Sequence, residues 1–146
     1  MRIENSLFYD ILYPVRHHNK GVVRIMHKST EQYRKLDRPE MKGGSGIAHF
    51  QYIWEKNSEM KSTCRMFAKI TLEPGCSIGK HDHQGEEEIF YILSGEALAY
   101  DNGETVILKP GDSIICRSGE EHAMSCYGDV PVEYLAVIPV YPENKE

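Results

Sequence analysis

No stretch of the chain approaches the roughly 20 consecutive apolar residues that cross a bilayer as a helix, which excludes a helical membrane span. The first residues break their apolar character at Asp10 and Pro14 and lack a small-residue cleavage site, so no signal peptide is expected and the address is read as cytoplasmic. The four cysteines (Cys64, Cys76, Cys116, Cys126) contain no C-x-x-C pair. This argues against a cysteine-rich zinc site and suits small buried hydrophobes in a reducing compartment. Low-complexity tracts, internal repeats and, beyond Gly46, amphipathic helical stretches are all lacking. Positive charge is also scarce: 17 Lys and Arg face 22 Asp and Glu, a net charge of −5. A phosphate backbone would be repelled by such a body, so no nucleic acid is expected as a partner.

What remains is a chain of 146 residues, 40% hydrophobic, 10% aromatic and 27% charged, ordinary for one soluble domain. Its charge is uneven. Residues 1–42 carry nine Lys and Arg against five Asp and Glu, whereas residues 43–146 carry eight against seventeen. A basic N-terminal arm (1–42) is therefore expected to precede an acidic domain (43–146), with the boundary at the Gly43-Gly44-Ser45-Gly46 cluster. Complementary charge favours the arm lying on an acidic barrel, its own or a neighbour's, and a homodimer built through the arm is expected. Within the arm, Gly21–His27 is strand-like, and Ser29 with Gln32 forms a capping-box signal for a short helix.

After Gly46 come short strand-like runs separated by turn chemistry. Ile47–Trp54 is one, and Arg65–Leu72 alternates Met66, Ala68, Ile70 and Leu72 on one face. Pro74-Gly75, Ser94-Gly95, Asn102-Gly103, Pro110-Gly111 and Ser118-Gly119 punctuate the rest, with Asn102-Gly103 a type I′ hairpin signal. Such spacing predicts an all-β sandwich or barrel, because closure removes exposed strand edges. Tyr52, Phe67, Phe90, Ile92, Met124, Tyr134 and Leu135 read as core.

One segment carries chemistry. His81 and His83 are two apart, so on an extended strand their imidazoles share a face with Cα atoms about 6.6 Å apart, within reach of one cation. Gln84-Gly85 can turn the chain and return Glu88, which shares parity with Phe90 and Ile92 and so points inward. A buried carboxylate must be paired or bound to a metal. His122, at the start of a later strand, is a candidate to complete the set.

These residues resemble the cupin superfamily, and in particular its compact single-domain, metal-binding members. The first family motif, G-x5-H-x-H-x4-E-x6-G, is met by Gly75, His81, His83, Glu88 and Gly95. In the second, G-x5-P-x-G-x2-H-x3-N, Gly111, Gly119 and His122 match, while Arg117 stands for the proline and Cys126 for the asparagine. Glu87 meets a looser spacing after His83, but only Glu88 also leaves six residues before Gly95. The resemblance spans about residues 47–140. It implies a double-stranded β-helix (jelly-roll) barrel with metal ligands His81, His83, Glu88 and His122.

Three imidazoles and a carboxylate suit Mn, Fe, Ni, Zn or Cu better than Ca or Mg. Four protein ligands on an octahedral ion leave two adjacent positions for a substrate's oxygens, with the ion as Lewis acid and template. The resemblance thus implies a metal-dependent enzyme on a small oxygen-rich metabolite, a dioxygenase-like oxidoreductase first and an isomerase or decarboxylase next. A non-catalytic sugar- or ligand-binding module is the alternative. His49 and Glu133 are candidates for a general base by location alone, and His17, His18 and His27 lack a pattern that would orient them.

Overall fold

The computed structural model describes residues 26–142. Ten strands follow one another: β1 (Arg34–Pro39), β2 (Ile47–Trp54), β3 (Cys64–Leu72), β4 (Ser77–Asp82), β5 (Glu88–Ser94), β6 (Glu96–Asp101), β7 (Glu104–Leu108), β8 (Ser113–Cys116), β9 (Glu121–Tyr127) and β10 (Val132–Pro139). They form a six-stranded sheet in the order β1-β2-β3-β10-β5-β8 and a four-stranded sheet in the order β4-β9-β6-β7. Every ladder is antiparallel, as in a jelly roll.

Alternation along each strand decides what faces inward. On β10, Val132, Tyr134, Ala136 and Ile138 are buried, and register sets Tyr134 between Ile70 on β3 and Ile92 on β5. Phe50 on β2 continues that row opposite Ile70. From the smaller sheet, Ile78, Met124 and Ala99 form a facing row. The inner rows merge into one hydrophobic core. Phe67 and Leu135 depart from the expected core: Phe67 precedes buried Ala68, Leu135 lies between buried Tyr134 and Ala136, and both are only partly buried, on the outer face. The parity that buries Ala68, Ile70, Tyr134 and Ala136 turns both away.

The capping-box signal at Ser29 corresponds to one turn of 3₁₀ helix (Thr30–Gln32), with the Ser29 N–H donating to Gln32 Oε1 at 2.8 Å. Most of the strand-like run Gly21–His27, with His17 and His18, lies outside the described residues. The glycine cluster at 43–46 is a hairpin turn within a sheet: Glu40 N–H donates to Gly46 O at 2.8 Å, and β1 pairs with β2 from Arg34↔Tyr52 to Pro39↔Ile47. Residues 34–42 are therefore structurally part of the barrel. A second 3₁₀ turn, Met41–Gly43, lies against β4, and a Cβ at Gly79 would strike the Lys42 carbonyl. Only glycine permits that approach, which holds the turn at the mouth of the barrel.

Between β6 and β7, Asn102 (φ 46°) and Gly103 (φ 102°) both take positive φ, as the hairpin signal predicted. All four cysteines are free thiols. Burial pushes the Cys116 thiol up to about 11, consistent with its role as a small core residue.

Candidate metal centre

His81 lies near the end of β4, His83 just beyond it, Glu88 opens β5, and His122 is the second residue of β9. The β4–β9 ladder sets His81 directly opposite His122. The four donor atoms all lie within 4.8 Å of one another. His122 Nε2 is 3.2 Å from His81 Nε2 and 3.1 Å from His83 Nε2. Glu88 Oε2 is 3.1 Å from His83 Nε2, 3.2 Å from His122 Nε2 and 3.8 Å from His81 Nε2. His83, Glu88 and His122 are buried, and Phe90 stacks on His122 at 5.1 Å with a 5° interplanar angle. Tyr134 packs edge-on against Phe90 from behind.

The outer partners decide which nitrogen faces the centre. His81 Nδ1–H donates to the Gly79 carbonyl at 2.9 Å, and His83 Nδ1–H donates to Glu86 at 3.0 Å. In the neutral imidazoles the Nε2 lone pairs therefore point at one another and at Glu88. Such a convergence of acceptors is repulsive unless a proton or a cation sits among them. The donor set thus fits a cation of intermediate hardness.

Electrostatics agrees. Burial would raise the Glu88 carboxyl, but the adjoining imidazoles of His122, His81 and His83, once a proton rather than a lone pair stands on Nε2, outweigh it and hold Glu88 well below the usual carboxylate range. The bond to Glu88 raises His83 against the opposing effect of burial. Arg65 holds Glu86 low, with Nε donating to Glu86 Oε2 at 2.6 Å. Glu86 therefore links Arg65 to the imidazole of His83.

The loop that departs from the family motif keeps its shape by other bonds. Gly119 N–H donates to the His83 carbonyl at 2.8 Å and Arg117 N–H to Glu120 Oε2 at 2.7 Å. Cys126 Sγ–H donates to the Val130 carbonyl at 3.1 Å. Neither replacement displaces His122.

The cluster forms part of the wall of a cavity of about 640 Å³. Arg38, Lys42, Phe50 and Tyr52 reach it from the N-terminal side, and Arg65 and Glu86 complete its charged wall. Sequence reasoning missed Arg38, Lys42, Arg65 and Glu86. Arg65 and Glu86 are 21 residues apart, and no spacing rule announces such a pair. His49 and Glu133 do not join the site. His49 alternates with buried Ala48 and Phe50, faces outward, and bonds Asp37 at 2.7 Å. Glu133 lies between buried Val132 and Tyr134 and pairs with Lys69 at 2.5 Å on the outer face. His27 is exposed.

The family model for the cupin domain matches residues 68–138. An oxalate-binding protein of Thermotoga maritima is 43% identical over 98 residues, covering 67% of this chain and 80% of that protein. The chain belongs to the cupin superfamily. A solved structure described as a predicted oxalate decarboxylase from Thermotoga maritima superposes on this cupin with a TM-score of 0.74. It is 37% identical, covering 79% of this chain and 99% of the other. The tetracenomycin polyketide synthase protein TcmJ of Streptomyces glaucescens is 28% identical over 86 residues, 58% of each chain. In this cupin the match begins inside β3, so β1, β2 and their cavity residues lie before it.

Proposed function

We propose that this cupin binds one divalent transition metal (Mn, Fe, Ni, Zn or Cu) through His81, His83, Glu88 and His122, and uses it to hold a small carboxylate of the oxalate class. The observation that carries this is the meeting of three Nε2 atoms and one carboxylate oxygen at the wall of a cavity that also presents cationic side chains. When bound, the metal would supply Lewis acidity and a template for a chelating carboxylate. The protein's part is to hold the donors. Gly79 and Glu86 orient two imidazoles, and Phe90 backs a third.

Decarboxylation of the bound acid is the favoured reaction, because the similar solved structure from Thermotoga maritima is described as a predicted oxalate decarboxylase. It moves ahead of the oxygenase and isomerase chemistry that the sequence suggested. Binding without turnover is the second reading, favoured by the words "oxalate-binding" for one relative. Calorimetry with oxalate and Mn(II)- or Fe(II)-loaded protein, followed by mass spectrometry of the mixture, separates them. Product supports the enzyme, and retained oxalate supports the module. Oxalate binding that survives His81→Ala with His83→Ala removes the metal from the reading.

The reading extends to a homodimer. An apolar row, Trp54–Phe67–Val137–Ile89–Ile115, crosses the outer face of the six-stranded sheet and supports a second copy packing there. The arm's share in this is tested by sedimentation with and without residues 1–25, and a monomer at micromolar concentration in both cases would remove the dimer. The four free thiols fit a cytoplasmic address. Among the described residues no helix is long and apolar enough to cross a membrane.

A further inference from the structure

Three arginines stand near the aromatic wall of the cavity, and their partners differ. Arg34 lies over the Tyr52 ring at 3.9 Å and is neutralised by Glu55, with Nε–H donating to the carboxylate at 3.0 Å. Arg65 is held by Glu86. Arg38 has no carboxylate partner among the described residues. Its guanidinium lies 5.3 Å from the Phe50 ring centroid, and one Nη donates to the Tyr52 hydroxyl at 3.1 Å. The aromatic pair fixes its direction and leaves most of its donors unspent. Arg38 pairs with Ala48, whose side chain is buried, so it sits on the inward-facing row of β1, at the mouth of the cavity.

The cavity is also larger than its metal cluster requires. About 640 Å³ lies within the roughly 300–1,000 Å³ that encloses a drug-sized ligand, well above what a two-carbon diacid fills. Met66, Ile70, Met124 and Ile138 line it between polar groups. The wall is therefore chelating at the His/Glu cluster, apolar along its length and cationic at Arg38 and Lys42, of which Arg38 is the one held in direction by the aromatic pair.

We propose that the cavity takes an elongated anion: a chelating carboxylate head at the His/Glu cluster, an apolar body along the methionine and isoleucine wall, and a second acidic group bound by Arg38. This rests on the metal-dependent carboxylate binding proposed above and names its ligand class. Arg38, carried on β1, reads the distal acid.

The test titrates Mn(II)-loaded, full-length protein calorimetrically with oxalate and with 2-oxo monoacids and 2-oxo diacids of matched length, from five to eight carbons. At least one diacid binds about tenfold more tightly than its monoacid, the size of one charge-assisted bond. That ratio shrinks at high salt, because Arg38 is exposed. In Arg38→Gln it falls to within about twofold, and Arg38→Lys recovers part of it. Melting curves of both variants establish that they are folded. Equal affinities of diacid and monoacid at every length overturn the elongated-anion ligand, and a ratio that persists in Arg38→Gln overturns the assignment to Arg38. Failure of every probe, oxalate included, to bind in a metal-dependent way is distinct, because it removes the carboxylate reading itself.

Discussion

Two histidine–carboxylate pairs on opposite faces of the barrel have nearly the same length and different consequences. On the outer face of the six-stranded sheet, His49 lies 2.7 Å from Asp37, with 39% and 65% of their side-chain surfaces exposed. At the cavity wall, His122 lies 3.2 Å from Glu88, with 4% and 6% exposed. The outer pair is the shorter, yet water screens it and it adds little. The inner pair is buried, two more imidazoles join it, and a ring stacks behind it. Separation alone therefore does not mark a site. Desolvation and convergence do, because they make a cation the cheapest way to satisfy the group.

The contrast breaks most visibly if the backing of the inner pair is removed. Phe90→Ala should cost about 3–5 kcal/mol of stability, measured by chemical denaturation, since a buried ring leaves a cavity between His122 and Tyr134. A loss below about 1 kcal/mol would mean that the ring does not hold the imidazole.

Metal-induced stabilisation should come next, at about 2.7 kcal/mol when the ion stands at 100 times its dissociation constant. At one fixed ion concentration it should grow from pH 5 to pH 8 in thermal melts. In metal-free protein the raised His83 contributes stability below its ordinary 6.5 and loses it as pH rises through the raised value. The lowered Glu88 contributes above its ordinary 4.5 and loses its share as pH falls through the lowered value. The pair thus supports the metal-free form best between about 4.5 and 6.5, and an ion that must displace the His83 proton gains on it as pH rises. Equal metal-induced shifts at the two pH values would contradict this.

A smaller effect is expected one bond further out. Glu86→Gln should weaken metal binding about 10–100-fold by competition with a chelator, because His83 loses its charged orienting partner. Tyr134→Phe sharpens the contrast from the apolar side. The Tyr134 hydroxyl is buried without a hydrogen-bond partner among the described residues, so its removal should leave stability unchanged or raise it by about 1 kcal/mol. The smallest change belongs to the outer face. His49→Ala and Glu133→Ala should each cost less than about 1 kcal/mol and leave metal affinity unaltered. A loss of metal affinity in either variant would mean that the two faces communicate.

Much of the site was legible because its spacing obeys strand geometry. The interval between His81 and His83, and the return of Glu88 in parity with Phe90 and Ile92, follow from period-two alternation and a tight turn, while the cupin motif marked Glu88 by its distance from Gly95. The misplacement of His49, Glu133, Phe67 and Leu135 had a readable remedy, since each alternates with small or apolar neighbours that claim the inner face. Arg65 with Glu86, and Arg38 with Tyr52, left no such trace. They meet through pairings between strands, and one-dimensional spacing does not record which strands adjoin.

Local chemistry along the chain was enough to settle the all-β class, the turns at glycine and asparagine, and the shared face of His81 and His83, which depend on residue type and on repeats a few positions long. The resemblance to the cupin motifs added Glu88 and the remote His122. Only the closed barrel decided that β1 joins the domain, that Glu86 braces His83, and that Arg38 looks into the cavity with no carboxylate against it among the described residues. Each of these depends on which strands lie side by side, and burial, which gives a charge its strength, exists only once the sheets have closed.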